Sequence, residues 1–209
     1  MADDAVLKNI KLVAFDCDGV LTDSRLHYSS MGEVSMGFNT RDGEAIRLFS
    51  EAGIETALIS TNRFNTHLYR ASDLGIPYVW SPEVQEWSNR IEETKKIHTE
   101  IYSYPLRDDK IYYTWPKSWI DRIDPTLFET KLSYFEALCY SLHIFPEQCV
   151  YVGDTNTDLP ILEKVGYPFV PYDHAITDID GISNDKIRIT GRSGGEGVLF
   201  EVWNFFYKS

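Results

Sequence analysis

The sequence predicts a doubly wound α/β fold on a parallel sheet, and three observations carry that reading. Short apolar runs at residues 10–15, 55–60, 78–80 and 149–152 alternate with stretches of helical periodicity, the pattern of parallel strands joined by right-handed crossovers. The runs are apolar almost throughout, as strands covered on both faces are. Each polar cluster follows the carboxyl end of a run or opens a helix facing that edge, where ligands bind in open α/β sheets. A chain of 209 residues with 43% hydrophobic content can bury one real core, so one domain with embellishments is expected.

The first run leads into Phe15-Asp16-Cys17-Asp18-Gly19-Val20-Leu21-Thr22-Asp23, two carboxylates one residue apart ahead of a glycine. Alone, the motif is equally well a strand followed by an ordinary Asp-Gly turn. Residues 25–40 then alternate, with Leu26 and Tyr28 going out and Val34, Met36 and Phe38 coming back. Ser29-Ser30-Met31-Gly32 supplies the turn of a β-hairpin, either a flap beside the site or an edge for another subunit. Asp42 is expected to cap a helix that carries Ile46 and Phe49 and ends at Gly53. The second strand delivers Thr61-Asn62-Arg63, a helix through Leu68 and Leu74 closes at Gly75 and Pro77, and a short third strand follows.

At Ser81 the rhythm breaks. Val84, Trp87, Ile91, Thr94 and Ile101 keep helical spacing through a charged segment, and an aromatic stretch interrupted by Pro105, Pro116 and Pro125 follows. An insertion of about fifty residues is far longer than an ordinary βα connection, and its density of aromatics argues against a disordered linker. The chain thus divides into a core of residues 1–80 and 131–209 and an inserted lid or interface segment, 81–130. The rhythm resumes at Lys131 with a helix bearing Leu132, Phe135, Cys139 and Leu142. Residues 149–152 form a strand, Gly153-Asp154-Thr155-Asn156-Thr157-Asp158 a polar loop, and Pro160 opens a helix. Strands are expected at residues 169–170 and 187–189. Gly191-Arg192-Ser193-Gly194-Gly195-Glu196-Gly197 leads to a last helix with Val198, Val202, Phe205 and Phe206.

Composition removes several classes of function. With 20 Lys and Arg against 32 Asp and Glu, the net charge of −12 argues against nucleic acid or an anionic membrane as partner. No apolar run is long enough to span a bilayer, and Met1-Ala2-Asp3-Asp4 lacks the features of a signal peptide. Cys17, Cys139 and Cys149 form no C-x-x-C pair, so a reduced, cytoplasmic protein without disulfides or structural zinc is expected.

Asp16, Asp18, Thr61, Lys131, Asp154 and Asp158 all fall at the carboxyl edge of the expected sheet. Carboxylates gathered in one crevice repel unless a cation sits among them, and an all-oxygen ligand set favours Mg²⁺. A hydroxyl and a lysine aimed at the same point suit phosphoryl oxygens. One carboxylate can attack phosphorus while a second moves the proton.

The order Asp-x-Asp, Thr, Lys, Gly-Asp-x-x-x-Asp resembles the haloacid dehalogenase superfamily of phosphatases. Within it, residues 10–43, Thr61-Asn62-Arg63, Gly153-Asp154 with Asp158-Leu159-Pro160, and Gly194-Gly195-Glu196-Gly197 are similar to the 3-deoxy-D-manno-octulosonate 8-phosphate phosphatase family. The resemblance covers the chain except residues 81–130. It implies a Rossmann-like core of haloacid dehalogenase type, with Asp16 as nucleophile and Asp18 as proton donor and then base. It further implies Mg²⁺ on Asp16, the Asp18 carbonyl and Asp154, phosphate binding by Thr61, Asn62 and Lys131, and Asp158 orienting Lys131 or a metal-bound water. A small sugar or sugar-acid phosphate is the implied substrate. A cytoplasmic homotetramer is the implied assembly, with hairpins packed together and the C-terminal tail reaching a neighbour's site. The chain departs from the family where Asn62 replaces a glycine, Thr157 an asparagine, and Glu196 an arginine between the tail glycines. The insertion departs as well, since the family is normally cap-less.

Blander readings compete at single positions. Lys131 alone reads as a solvated helix-start lysine, and Asp158 as an N-cap. Cys17 is no phosphatase nucleophile, because Asp23 stands where such a cysteine needs an arginine; packing is its expected role. A receiver domain would need its phosphorylated Asp on a later strand than the acidic pair. A catalytically silent relative serving as an assembly or binding module is the remaining alternative, and the complete acidic set speaks against it.

Overall fold

The computed structural model describes residues 9–32, 34–62, 66–81, 130–177, 179 and 186–207. Its centre is a six-stranded sheet in which every adjacent pair is parallel: β1 (Leu12–Phe15), β4 (Glu55–Ile59), β5 (Tyr78–Trp80), β6 (Cys149–Val152), β7 (Tyr167–Val170) and β8 (Arg188–Ile189). The spatial order is β5-β4-β1-β6-β7-β8. β1 therefore lies between β4 and β6, and the chain winds outward from it first on one side, then on the other. That reversal makes the carboxyl end of β1 a topological switch point, where a crevice opens.

Alternation along the strands explains why helices cover both faces. Val13, Phe15, Leu58, Val79, Val150 and Val152 pack with α1 (Thr40–Glu51), α2 (Thr66–Asp73) and α5 (Val198–Tyr207) through Ile46, Phe49, Leu68, Val202 and Phe206. Leu12, Ala14, Ala57, Ile59 and Tyr151 point the other way, to α3 (Lys131–Leu142) and α4 (Leu159–Leu162). Successive strand residues face opposite sides, so runs as apolar as Leu12–Phe15 need cover on both. The doubly wound α/β fold expected from the sequence is the fold observed.

The hairpin is present but shorter than the alternation suggests. Only His27–Tyr28 (β2) and Val34–Ser35 (β3) pair, antiparallel, across a turn in which Gly32 N–H donates to the Ser29 carbonyl at 3.0 Å. Leu26, Tyr28 and Met31 are exposed, so no core face holds a longer ladder together. Of the expected insertion, only Ser81 and Thr130 are among the described residues; the remainder of 81–130, and Arg63, lie outside them.

The start of α1 corrects an expectation. Its cap is Asn39, whose side chain accepts from Arg41 N–H at 3.0 Å. Asp42 lies inside the first turn, and its Oδ1 instead accepts from Leu199 N–H at 2.8 Å, capping the distant helix α5. The sequence spacing suits both assignments, and only the packing of α1 on α5 separates them. Oδ2 of Asp42 has no hydrogen-bond partner among the described residues, and burial pushes its carboxyl up to about 6 despite the α5 amides and Arg192 and Arg70. A folded pKa raised above the unfolded value stabilises at low pH and is lost as pH climbs through the folded value. Between pH 4 and 6.5 the protein should lose up to about 3 kcal/mol on this account, and Asp42→Asn should lose none of it. Denaturant melts at the two pH values test this, and equal pH dependence in both proteins contradicts it.

Candidate active site

Three strands bring the acidic and polar motifs to one edge. Phe15 pairs with Leu58 on one side and Val152 on the other, so Asp16, Ser60 and Gly153 leave the sheet at nearly the same height. Asp16 N–H still donates to the Val152 carbonyl at 2.9 Å. The loop then turns tightly, with the amides of Val20, Leu21 and Thr22 all donating to the Cys17 carbonyl. Gly19 has φ +74°, and a Cβ there would lie 1.9 Å from Asp154 Oδ2. Only glycine lets this loop meet that carboxylate.

Lys131 joins the set from α3. Thr130 caps that helix through a reciprocal box with Ser133, which fixes the first turn and directs Lys131 inward. Its Nζ donates to Asp16 Oδ2 at 2.5 Å and to Asp158 Oδ1 at 2.7 Å, with the lysine 3% exposed. This is no solvated surface lysine. Burial works against its charge, but Asp16 and Asp158 outweigh that and hold its pKa above the ordinary lysine value.

Asp158 is fully buried and has donors on both oxygens. Oδ1 receives Lys131 Nζ and the Tyr151 hydroxyl at 2.6 Å. Oδ2 receives the amides of Asp154 and Thr155 at 3.2 and 3.1 Å and the Thr155 hydroxyl at 3.0 Å. Its side chain makes no cap bond to α4, so it serves as the anchor of Lys131 and of the loop after β6.

Three carboxylates, Asp16, Asp154 and Asp158, surround one ammonium. Burial pushes Asp16 up to about 8, with Asp158 and Asp154 adding to the rise and Lys131 opposing it. Burial, then Asp158, pushes Asp154 up to about 7. Asp154 Oδ1 is buried with no hydrogen-bond partner among the described residues. Asp16, Asp154 and Asp158 each offer an oxygen within 4.8 Å of the others. An orphaned carboxylate oxygen beside an under-compensated acidic cluster fits a hard divalent cation. Asp154 offers the orphaned oxygen, whereas Asp158 takes donors on both oxygens and Asp16 takes one on each, Cys17 N–H on Oδ1 at 2.7 Å and Lys131 Nζ on Oδ2.

Asp18 is held apart from this network. Its Oδ2 accepts from Asn62 Nδ2 at 2.6 Å and its Oδ1 from the Thr22 hydroxyl at 3.3 Å. Thr61 is exposed on the loop after β4, next to Asn62. Cys17 is fully buried, and burial together with Asp18 and Asp16 pushes its thiol well above the ordinary value, leaving it a packing residue. Cys139 and Cys149 are also buried free thiols.

Tyr151, Thr155 and Thr22 are contacts that motif reading missed. Tyr151 had a signal: a tyrosine inside an otherwise apolar buried strand needs a partner for its hydroxyl. The glycine run lies against the loop after β1 of its own chain. Gly195 N–H donates to the Val20 carbonyl at 3.0 Å, and the Asn39 side chain donates to the Gly195 carbonyl at 3.1 Å. The run packs on the Asp16–Asp23 loop of its own chain, so closely that a Cβ at Gly194 would meet the Gly19 carbonyl oxygen.

Comparison with known proteins points the same way as the motifs. No family model matches the chain. The chain is 26% identical over 200 residues to the 3-deoxy-D-manno-octulosonate 8-phosphate phosphatase of Haemophilus influenzae, covering 94% of this chain and 82% of the relative. It is 28% identical over 199 residues to that of Escherichia coli K12, covering 95% and 79%. Among solved structures, the cobalt-bound Haemophilus influenzae phosphatase aligns with TM-score 0.65 and 25% identity over 97% of this chain and 86% of that one. The Moraxella catarrhalis phosphatase, in complex with magnesium, phosphate and KDO, aligns with TM-score 0.67 and 23% identity over 98% and 89%. The resemblance read from the motifs thus extends along almost the whole chain, and the fold is that of haloacid dehalogenase-type hydrolases. Among the described residues, no helix is long and apolar enough to cross a membrane.

Proposed function

We propose that this chain is a phosphomonoester hydrolase acting on a small sugar-acid phosphate, with 3-deoxy-D-manno-octulosonate 8-phosphate the leading candidate, through an aspartyl-phosphate on Asp16. The observation that carries the reading is the buried Asp16–Lys131–Asp158 network at the switch point of the sheet. It holds a carboxylate in place beside a cation that can receive phosphoryl oxygens, as transfer to a side-chain nucleophile requires. The near full-length similarity to phosphatases of that substrate supports the choice of class.

In this scheme Asp16 attacks phosphorus and a new O–P bond forms. The bond from phosphorus to the leaving oxygen breaks, its electron pair stays on that oxygen, and Asp18 supplies the proton. Asp18, now a carboxylate, takes a proton from water as the water oxygen attacks phosphorus. The Asp16–phosphorus bond then breaks and inorganic phosphate is released. Lys131 and Thr61 bind the phosphoryl oxygens, and Asp158 keeps Lys131 aimed. A Mg²⁺ ion held by Asp16, Asp154 and the Asp18 carbonyl would neutralise charge on the phosphoryl group.

Phosphate release across a panel of phosphorylated sugars and sugar acids, with Mg²⁺ and with excess chelator, tests the reading. Turnover is expected only with the metal, and sugar-acid phosphates are expected to lead the panel. Asp154→Ala should raise the Mg²⁺ concentration needed for half activity by at least about tenfold, and Thr61→Ala should shift it far less. Full turnover in excess chelator contradicts the metal assignment.

A further inference from the structure

The Asn62–Asp18 contact has no place in the scheme above, and a phosphate-binding role for Asn62 rests on resemblance alone. Its side-chain amide is already engaged: Nδ2 donates to Asp18 Oδ2 at 2.6 Å, across 44 positions of sequence. The backbone of Asn62 is pinned on both sides. Its N–H donates to Ser60 Oγ at 3.1 Å, and its carbonyl accepts from Ser81 Oγ at 3.0 Å. Ser60 and Ser81 are themselves buried. The amide is thus aimed by the framework, and glycine at this position would leave Asp18 without that partner.

We infer that Asn62 is a positioning residue, which acts through Asp18 by fixing the orientation of its carboxyl group and choosing the oxygen that carries the proton. This rests on the proposed reaction. An amide N–H can only donate. An oxygen that receives it stays an acceptor, so the proton Asp18 gives to the leaving group sits on Oδ1. Among the described residues that oxygen has only the Thr22 hydroxyl at 3.3 Å, which can donate to it or accept from it. General-acid efficiency depends on a fixed donor-to-acceptor geometry. Without the amide, the carboxyl group can rotate and its proton can occupy either oxygen.

The consequence depends on the leaving group. An alkoxide leaves poorly without a proton, whereas a nitrophenolate needs none. The test compares single-turnover release of the alcohol from an alkyl phosphate (a phosphorylated sugar or sugar acid) with release of nitrophenol from p-nitrophenyl phosphate. It uses wild type, Asn62→Ala, Asn62→Asp and Asp16→Asn of the full chain with Mg²⁺. Asn62→Ala is expected to slow alcohol release by about tenfold or more, part of the 10²- to 10⁴-fold that a general acid contributes. Nitrophenol release should change by less than about threefold, and the half-saturating substrate concentration should hold within about twofold. Asn62→Asp should slow alcohol release at least as much, because a carboxylate there repels Asp18. Thermal melts equal to wild type establish that the variants are folded, and Asn62→Ser supplies a second substitution if Asn62→Ala melts early.

If both leaving groups slow equally, or neither slows, the inference is overturned. Asp16→Asn separates that failure from failure of the reaction itself. When it stops release of both leaving groups, the proposed chemistry stands whatever Asn62 does. When it leaves release intact, the proposed chemistry falls and the role of Asn62 falls with it.

Discussion

Asp16→Asn is expected to reduce phosphate release by about 10⁴-fold or more, because an amide is too poor a nucleophile to form the covalent intermediate. The loss should appear in kcat, with phosphate binding retained, since Lys131 and Thr61 are untouched. The protein should not be destabilised. In the absence of metal, burial has already pushed the Asp16 carboxyl up to about 8, so near neutral pH the fold favours an uncharged side chain there. A neutral isostere keeps an oxygen for Lys131 and matches the uncharged state that burial favours, which offsets the loss of the acceptor that Cys17 N–H meets at 2.7 Å. Steady-state assays with Mg²⁺ and thermal melts in chelator measure the two halves. Turnover within tenfold of wild type would exclude Asp16 as nucleophile, and a large fall in melting temperature would show that the loss came from unfolding.

Lys131→Met should be the most damaging change to stability and activity together. Among the described residues, Lys131 is the only cation paired with Asp16 and Asp158, and it is 3% exposed. Removing one partner of a buried pair leaves an uncompensated charge, worth about 3–5 kcal/mol. Here the loss should depend on pH. Asp16 already has a raised pKa, and loss of the ammonium raises it further, so protonation at lower pH relieves the strain. The variant should therefore sit closer to wild type at pH 6 than at pH 8.5 in chelator-treated protein, with the sign set by a raised carboxylate pKa. Turnover should fall by about 10²- to 10³-fold, the order expected when a preorganised charge-stabilising donor is lost. A stability loss under 1 kcal/mol, or one that is the same at both pH values, would contradict the pairing as the source of stability.

Most of the site was legible because its residues sit at chain positions with independent structural signals. Asp16 and Asp18 follow an apolar run, Asp154 and Asp158 follow another, and Lys131 starts a helix. Strand ends and helix starts are the most readable places in an α/β sequence, and the parallel arrangement sends all of them to one edge. The environment of each side chain was not legible. Lys131 alone reads as a solvated surface lysine, and its burial depends on how α3 lies against β1 and β6. Asp158 reads as a cap, yet its oxygens are taken by Tyr151, Thr155, the loop amides and Lys131. Asp42 reads as the cap of its own helix and serves a helix 157 positions away.

By itself the sequence determined the doubly wound fold, because periodicity and the apolar character of the runs are local properties that every residue repeats. It determined the acidic composition of the site for the same reason. Only the tertiary structure decided which oxygen each donor meets: Asn62 on Asp18, Tyr151 on Asp158, the glycine run on its own chain's Asp16–Asp23 loop. Those pairings join residues far apart in sequence. A hydrogen bond's worth depends on a few tenths of an ångström and on exclusion of water, neither of which is carried by residue type or spacing.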